Sequence, residues 1–544
     1  MSQCARWLSI DSSIKVAYRP LLAAITLAGF FLRLQLLDRF PFREDEAIYG
    51  YWALHGWRVD PWFLTVWPDK PPLFIWLLGS AFQLWGAVPA AAQFLNIAAS
   101  TLTIAVVAAT ARRWWGPLAG LTAGALLMLN PFAISFAATA YTDSTLVLAG
   151  ALSLACVAGR RPILAGLWLG VAIMTKQQGL LFAPLIVVVL LVPPHAEAGS
   201  GQGARHTIAA LKALARFCAG LALITLPILY LDSLRWAVAP SPWDLGARNA
   251  GTVLLASAAT WQTRLYGWLA LAWQLAAAPA PWLIWSILLL GAVWFARRGD
   301  QGRNLAIACW LALWSVAFLI LHTVTSVQVW DRYLLPLVLP YSLLGGWAVQ
   351  QGWNYLAPRA VNIPAGALRA GLAVACGLVV LLWLPPAARA ATGNLPIGAD
   401  HGAYAGLDVA LAYAQSTGRG DQRVELYHRE VGWQARFYLF DAIQNGAVEL
   451  RYYPNAVYLA DSVVKHPHKR NLLIMPDWAP VRDLDLQLAN RRLAAHEEMR
   501  TGHFIVYSLN AIDAGDAAWR VCRPAPAWEF IGASAAQACS ELRP

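Results

Sequence analysis

Charge is what this chain has least of. Asp, Glu, Lys and Arg make up 13% of its 544 residues, against 58% hydrophobic residues and a mean hydropathy of +0.49. That balance excludes an ordinary soluble domain and points to a chain that crosses a membrane many times. Acids are scarcer than bases, 30 against 41, which leaves a net charge of +11. A nucleic-acid partner is nevertheless excluded, because the basic residues fall in small clusters between apolar runs, where membrane topology accounts for them. Cysteine is sparse, and five of the seven (Cys4, Cys156, Cys218, Cys309, Cys376) lie before or within the apolar part. Cys522 and Cys539 stand apart near the C-terminus. A disulfide between them and a pair of free thiols are equally good expectations. No zinc-ligand spacing, P-loop or dinucleotide-binding fingerprint is present. No cleavable signal peptide is evident, and the first apolar run reads as an anchor.

What the chain has in abundance is apolar runs, with 28 tryptophans, many near their ends as in interfacial belts. With a span of ~20 residues, the sequence predicts about eleven membrane helices. Their limits are near 19–37, 90–111, 116–140, 142–159, 162–176, 178–194, 212–231, 280–296, 303–323, 332–350 and 366–385. The run 71–88 is short and reads as an interfacial or re-entrant helix. Arg6/Lys15/Arg19, Arg112-Arg113, Arg160-Arg161, Arg205/Lys212, Arg297-Arg298/Arg303 and Arg359/Arg369 occupy every second connection. The positive-inside rule makes these cytoplasmic. The opposite connections are then extracytoplasmic, including the loops 38–89 and 232–279 and everything after 386. The fold class is therefore mainly α and polytopic, with a membrane domain over 1–386.

Residues 387–544 have ordinary polarity. Strand-like runs (Val424–Tyr427, Val457–Leu459, Leu472–Met475, Phe504–Ser508) alternate with helix-like ones (Leu407–Gln415, Leu486–Glu498), predicting a small α/β domain outside the membrane.

Several charged residues sit on the extracytoplasmic side of this topology, where charge beside a bilayer calls for a reason. Asp45 and Glu46 lie in Arg43-Glu44-Asp45-Glu46-Ala47-Ile48-Tyr49, just after the first anchor. A carboxylate there could accept a proton from an attacking hydroxyl and steady a cationic sugar carbon. Acids complementing a helix N-terminus are the competing account. Asp69-Lys70-Pro71-Pro72-Leu73 reads as a rigid lead-in to a helix, with Lys70 placed for a phosphate or snorkelling at the interface. Asp143, in Ala140-Tyr141-Thr142-Asp143-Ser144, is either a helix cap or a second carboxylate, serving as acid/base partner or metal ligand. A divalent metal held by Asp45 and Asp143 is one option, with no histidine pattern behind it. Lys176 and Arg332 are cations at helix ends on the side the rule disfavours, and anion binding is favoured over snorkelling. His322, Tyr333, Arg235, Arg248 and Asn249 are weaker candidates.

Taken together, Arg43-Glu44-Asp45-Glu46, Asp69-Lys70-Pro71-Pro72-Leu73, Ala140-Tyr141-Thr142-Asp143, Met174-Thr175-Lys176 and Arg332-Tyr333-Leu334-Leu335-Pro336 resemble glycosyltransferase family 39. That family holds protein O-mannosyltransferases and bacterial lipid A aminoarabinose transferases, within the membrane-embedded GT-C class. The resemblance implies a polyprenyl-phosphate-linked sugar donor and a lipid, glycan or protein acceptor. It implies Asp45 as the leading catalytic acid residue with Glu46 beside it, and Asp143 facing the same cavity. Lys70, Lys176 and Arg332 would contact the donor phosphate, and the anomeric centre would invert. It places the chain in the bacterial inner membrane, among membrane lipids. Two departures stand out. The aminoarabinose transferases carry an Arg shortly after the acid pair, where this chain has Ile48, and a Glu where it has Asp69. The large domain that protein mannosyltransferases insert between membrane helices is absent. A transporter or flippase of a lipid-linked glycan is the competing class, but the charges gather at one membrane face and no internal repeat is evident.

Overall fold

The computed structural model describes residues 3–192, 203–249, 254–297, 302–356, 365–398, 400–418, 423–512, 520–521 and 540–541. Cys522 and Cys539 lie outside the described residues. The chain divides into two compact units, Met1–Phe40 with Trp52–His401, and Pro41–Tyr51 with Gly402–Pro544.

The first unit is helical. In chain order its elements are α1 (Gln3–Leu34), the end of α2 (Glu44–Arg58), α3 (Pro72–Trp85), α4 (Pro89–Trp115), α5 (Pro117–Met128), α6 (Pro131–Ser135), α7 (Asp143–Ala158) and α8 (Pro162–Thr175). Then follow α9 (Phe182–Leu191), α10 (Gly203–Leu234), α11 (Pro242–Asn249), α12 (Ala258–Trp273), α13 (Pro279–Ala296), α14 (Gly302–Val324), α15 (Val338–Leu356) and α16 (Ala365–Ala391). Among the described residues five segments are long and apolar enough to cross a membrane: Val16–Leu34, Pro89–Trp115, Thr207–Leu234, Pro279–Ala296 and Gly302–Val324. The faces of α10 and α13 expose Leu223, Leu226, Leu283 and Leu290, as a lipid-facing helix does.

The other expected spans fall on shorter, broken or partly described helices. The run 116–140 is not one helix: it stops at Met128, and Asn130 opens a new turn by accepting from the Ala133 amide at 2.9 Å. Pro131 enforces the break, having no N–H for the carbonyl of Leu127. The Asn130 amide (3.3 Å) and Arg33 donate to that carbonyl instead. The Arg33 guanidinium is fully buried and donates to the carbonyls of Leu127 (3.0 Å), Met128 (3.3 Å) and Gly29 (3.0 Å) and to Ser100 Oγ (2.8 Å). A cation is thus held by the negative end of α5. Likewise 178–194 starts as a 3₁₀ turn, Gln177–Leu181, and 332–350 as another, Asp331–Leu337.

Helices α8 and α10 touch backbone to backbone. A Cβ on Gly166 would lie 1.9 Å from the Phe217 carbonyl oxygen, and one on Gly220 1.9 Å from that of Ile163. Small residues at such a crossing are how membrane helices gain van der Waals contact.

The second unit is an α/β domain. Its elements are α17 (Leu407–Thr417), β1 (Val424–His428), α18 (Gly432–Tyr438), α19 (Phe440–Gln444), β2 (Val448–Tyr452), α20 (Ala456–Lys465), β3 (Arg470–Pro476), α21 (Leu484–Ala489), β4 (Leu493–Thr501) and β5 (Phe504–Ala511). Two-residue strands β6 (Arg520–Val521) and β7 (Ser540–Glu541) follow. The sheet order is β2-β1-β3-β5-β4, with β2, β1 and β3 parallel and β5 and β4 antiparallel. All five residues of β1 are buried, as a strand covered on both faces requires. Leu426 joins one core with Leu407 and Leu411, and Tyr427 joins the other with Leu459 and Val463.

Two local expectations are corrected. Val457–Leu459 is helix, not strand: Asn455 accepts from the Tyr458 amide at 2.9 Å and caps α20. Leu486–Glu498 is helical only to Ala489. Arg492 takes a left-handed backbone (φ 55) and the chain leaves as β4. Strand β2 and helices α11 and α12, the latter within the loop 232–279, were not anticipated.

Candidate functional site

The best-formed polar cluster of the helical unit lies where α3, α7, α8 and α11 begin or end. Helix α8 stops at Thr175, and Lys176 follows in an extended conformation (φ −157, ψ 139). Its ammonium is buried and donates to Asp143 Oδ1 at 2.6 Å. Asp143 is the first residue of α7 and is 1% exposed. It is thus not a solvated carboxylate, and the cap position of α7 falls to Thr142, whose hydroxyl donates to Asp143 Oδ2 at 3.4 Å. The Lys176 ammonium also sits 4.6 Å from the centre of the Tyr333 ring, whose far neighbour is the Arg332 guanidinium at 5.6 Å. Arg332 is buried and lies over Tyr141 (4.6 Å) and Trp330 (4.8 Å). Aromatic faces take the place of water around both cations.

Lys70 is carried by the lead-in that the prolines predict, with Pro72 as the first residue of α3. Its ammonium pairs with Asp69 Oδ2 at 2.7 Å, and Asn249 at the end of α11 donates to the same oxygen at 2.9 Å. Gln177 Nε2 donates to the carbonyls of Asp69 (2.7 Å) and Pro242 (3.0 Å), tying three segments together. Gln178 Nε2 donates to the Tyr333 carbonyl at 2.7 Å. Neither glutamine was assigned a role from sequence. The signal was a polar pair between two apolar runs, directly after Lys176.

Some of these residues border an open cavity of about 360 Å³, lined among others by Lys70, Lys176, Gln178, Trp243, His322 and Tyr333, whereas Asp143 and Arg332 lie outside its lining. Two cations and an apolar wall suit an anionic head on an apolar tail. His322 lines the wall with its Nδ1 against the Phe318 carbonyl (2.8 Å), which leaves Nε2 as an acceptor facing Gln178 at 3.3 Å. That is a positioned core histidine. Of the other weak candidates, Arg248 pairs with Asp244 on the surface (2.7 Å), and Arg235 donates to the Pro240 carbonyl (3.2 Å).

The acid block belongs to the other unit. Helix α2 starts at Glu44, and Glu46 reaches back to Arg43, accepting from its backbone N–H (3.1 Å) and its Nε (3.0 Å). This is half of a capping box and gives Glu46 a structural task. Asp45, one residue earlier, is half-buried, and Tyr49 is buried. Glu44 has its carboxyl pushed up, by burial first and then by Asp45 and Glu430. Among the described residues no group of three or more His, Cys, Asp or Glu is placed to hold a metal ion.

Residues 69–221 match the family described as dolichyl-phosphate-mannose-protein mannosyltransferase. That stretch contains Asp69, Lys70, Asp143 and Lys176. None of the curated proteins matches the chain in sequence. Among solved structures, ArnT from Cupriavidus metallidurans bound to undecaprenyl phosphate is similar, with TM-score 0.61 and 18% identity over 90% of this chain and 97% of that one. Its apo state matches equally, with TM-score 0.61 over 91% and 98%. The apo oligosaccharyltransferase of Archaeoglobus fulgidus is similar with TM-score 0.51 and 13% identity over 88% and 73%. The expected architecture is therefore borne out: a mainly helical GT-C fold like those of ArnT and the oligosaccharyltransferase, with several apolar helices and a small terminal sheet domain.

Proposed function

We propose that this chain, a multi-pass membrane glycosyltransferase of the GT-C kind, moves a sugar from a polyprenyl-phosphate-linked donor to a hydroxyl of a lipid, glycan or protein. The observation that carries this reading is the cavity in which Lys70 and Lys176 face an apolar wall. ArnT, similar in fold, binds undecaprenyl phosphate, a ligand of that same anionic-head, apolar-tail type. The reaction would run at the extracytoplasmic face of the bacterial inner membrane, with the terminal domain on that side, as the distribution of Arg and Lys between connections indicates.

The roles follow from charge. Lys70, Lys176 and Arg332 hold the phosphate, which leaves with the electron pair of the breaking C–O bond. Their positive charge stabilises that leaving group most as it gains charge. Asp143 acts as counter-ion to Lys176, keeping it protonated and aimed, and not as a second acid. Asp45 takes the proton of the attacking hydroxyl as the new glycosidic bond forms on the opposite face, which inverts the anomeric centre. Glu46 supports Asp45 through the helix start. Lys70, aided by the start of α3, gives the site an anion-binding edge.

The test is the purified protein in lipid with a panel of radiolabelled polyprenyl-phosphate sugars, wild type against Asp45→Asn and Lys70→Ala. Sugar transfer or release lost in both folded variants supports the reading and names the donor. Full activity in both would reject the assigned site.

A further inference from the structure

The acid end of α2 is held by the terminal domain, and this inference rests on the reading above, in which Asp45 is the base. Residues 41–51 form one compact unit with residues 402–544, although 350 residues (52–401) lie between them. The Tyr438 hydroxyl accepts from the Phe42 amide at 3.1 Å. The Phe42 ring lies 4.8 Å from that of Phe437, and both side chains are buried. Gly50 meets the same pair of rings: a Cβ there would fall 2.8 Å from Phe437 Cδ2 and 3.2 Å from Phe42 Cε2. Tyr51 continues the seam, with its ring 5.9 Å from Trp433 and 6.1 Å from Phe440. Asp45 stands between the two anchor points, three residues after Phe42 and five before Gly50.

We propose that Phe437 and Tyr438 are positioning residues that set where the Asp45 carboxylate sits. Neither touches the reacting atoms. They act through α2, whose length fixes Asp45 once Phe42 and Gly50 are seated. The far end of α2 is seated elsewhere, with Gly56 against the Phe63 ring and Ala53 against Gly79 of α3. A base displaced by about 1 Å loses on the order of a hundredfold in rate, so a seat on a side-chain ring is a sensitive control point. Gly50 makes the contact testable, because Gly→Ala inside a helix is otherwise stabilising. A loss on Gly50→Ala is therefore a loss through the Phe437–Phe42 seat.

The experiment compares Tyr438→Phe, Phe437→Leu, Gly50→Ala and the double Gly50→Ala/Phe437→Leu in full-length protein in lipid, with the donor that the wild type uses. Gly50→Ala is expected to lower kcat about tenfold or more with the donor KM within about twofold, since the phosphate-holding residues are untouched. Phe437→Leu makes room for the new methyl, so the double variant should recover to the level of Phe437→Leu alone. An unchanged kcat in Gly50→Ala, or no recovery in the double variant, overturns the proposal. If the wild type turns over no donor, the functional reading fails and the positioning claim is judged by hydrogen exchange of residues 42–51. Faster exchange in Tyr438→Phe and Phe437→Leu supports it, and unchanged exchange overturns it.

Discussion

The ammonium of Lys176 lies 2.6 Å from Asp143 Oδ1, and both side chains are almost wholly withdrawn from solvent. A buried pair of this kind has a characteristic mutational signature. Removing one partner strands the other charge, which costs about 3–5 kcal/mol, whereas replacing both by apolar residues is far milder. Asp143→Asn or Lys176→Met alone should lower the thermal midpoint in detergent sharply, and the double variant should recover most of it. All three should lack transferase activity. A double variant as unstable as the singles would contradict this account of the pair.

Asp45 and Glu46 are neighbours with different tasks. Asp45→Asn should leave the unfolding midpoint unchanged and remove sugar transfer by about a thousandfold or more, as for a lost general base with its charge. Glu46→Ala should lose about 0.5–2 kcal/mol through the helix start and retain measurable turnover. Parallel unfolding and activity curves for the two variants separate the roles.

Arg33 should tolerate no apolar replacement. Arg33→Met removes the donor shared by the Leu127 and Met128 carbonyls and Ser100 Oγ and leaves Leu127 only the longer bond from the Asn130 N–H (3.3 Å), and each buried hydrogen bond lost costs roughly 0.5–1.5 kcal/mol. Adding Pro131→Ala should return part of that loss by restoring a donor. Thermal unfolding of the single and double variants is the measurement.

His428, at the end of β1, gives the terminal domain an acid-side weakness. Burial, reinforced by Arg436, pushes its imidazole down to about 4. The folded state therefore resists a proton that the unfolded chain accepts near pH 6.5. Stability should fall as pH drops from about 6.5 towards 4, by roughly 3 kcal/mol in total. His428→Gln should flatten the profile over that window. Glu425, also on β1, is held low despite its burial, by hydrogen bonds from Lys469 and Tyr427 and by the charge of Arg451. Its loss comes at lower pH, below the ordinary carboxylate range, so the two phases separate in an acid titration followed by circular dichroism.

Much of this was legible in the sequence because membrane proteins write their architecture in composition. Runs of apolar residues marked the helices, and Asp69-Lys70-Pro71-Pro72 marked the start of α3. The strand-like runs Val424–Tyr427, Leu472–Met475 and Phe504–Ser508 marked three strands of the sheet. Lys176 and Asp143 were both visible as charges out of place, but not as partners, since 33 residues and a helical hairpin separate them. What stayed hidden depended on tertiary context. The break at Pro131 lies inside an unbroken apolar run, and its cost is covered by Arg33, about a hundred residues earlier. Leu486–Glu498 has helical composition, yet its second half is claimed by pairing with β5. The seat of Phe42 on Tyr438 is a single long-range bond that no local pattern announces.

The Arg33 network also sets an order of events during synthesis. Helix α1 leaves the ribosome carrying a cation whose acceptors, Leu127 and Met128, are 94 and 95 residues away. At about 5–20 residues per second, they follow some 5–20 seconds later. Until then the guanidinium must reach for the membrane surface. The first anchor can therefore enter the bilayer early but can settle into its final depth only after α5 has ended. A ribosome stalled before residue 127 should leave α1 shallow and accessible to a water-soluble label, and one stalled well beyond it should not.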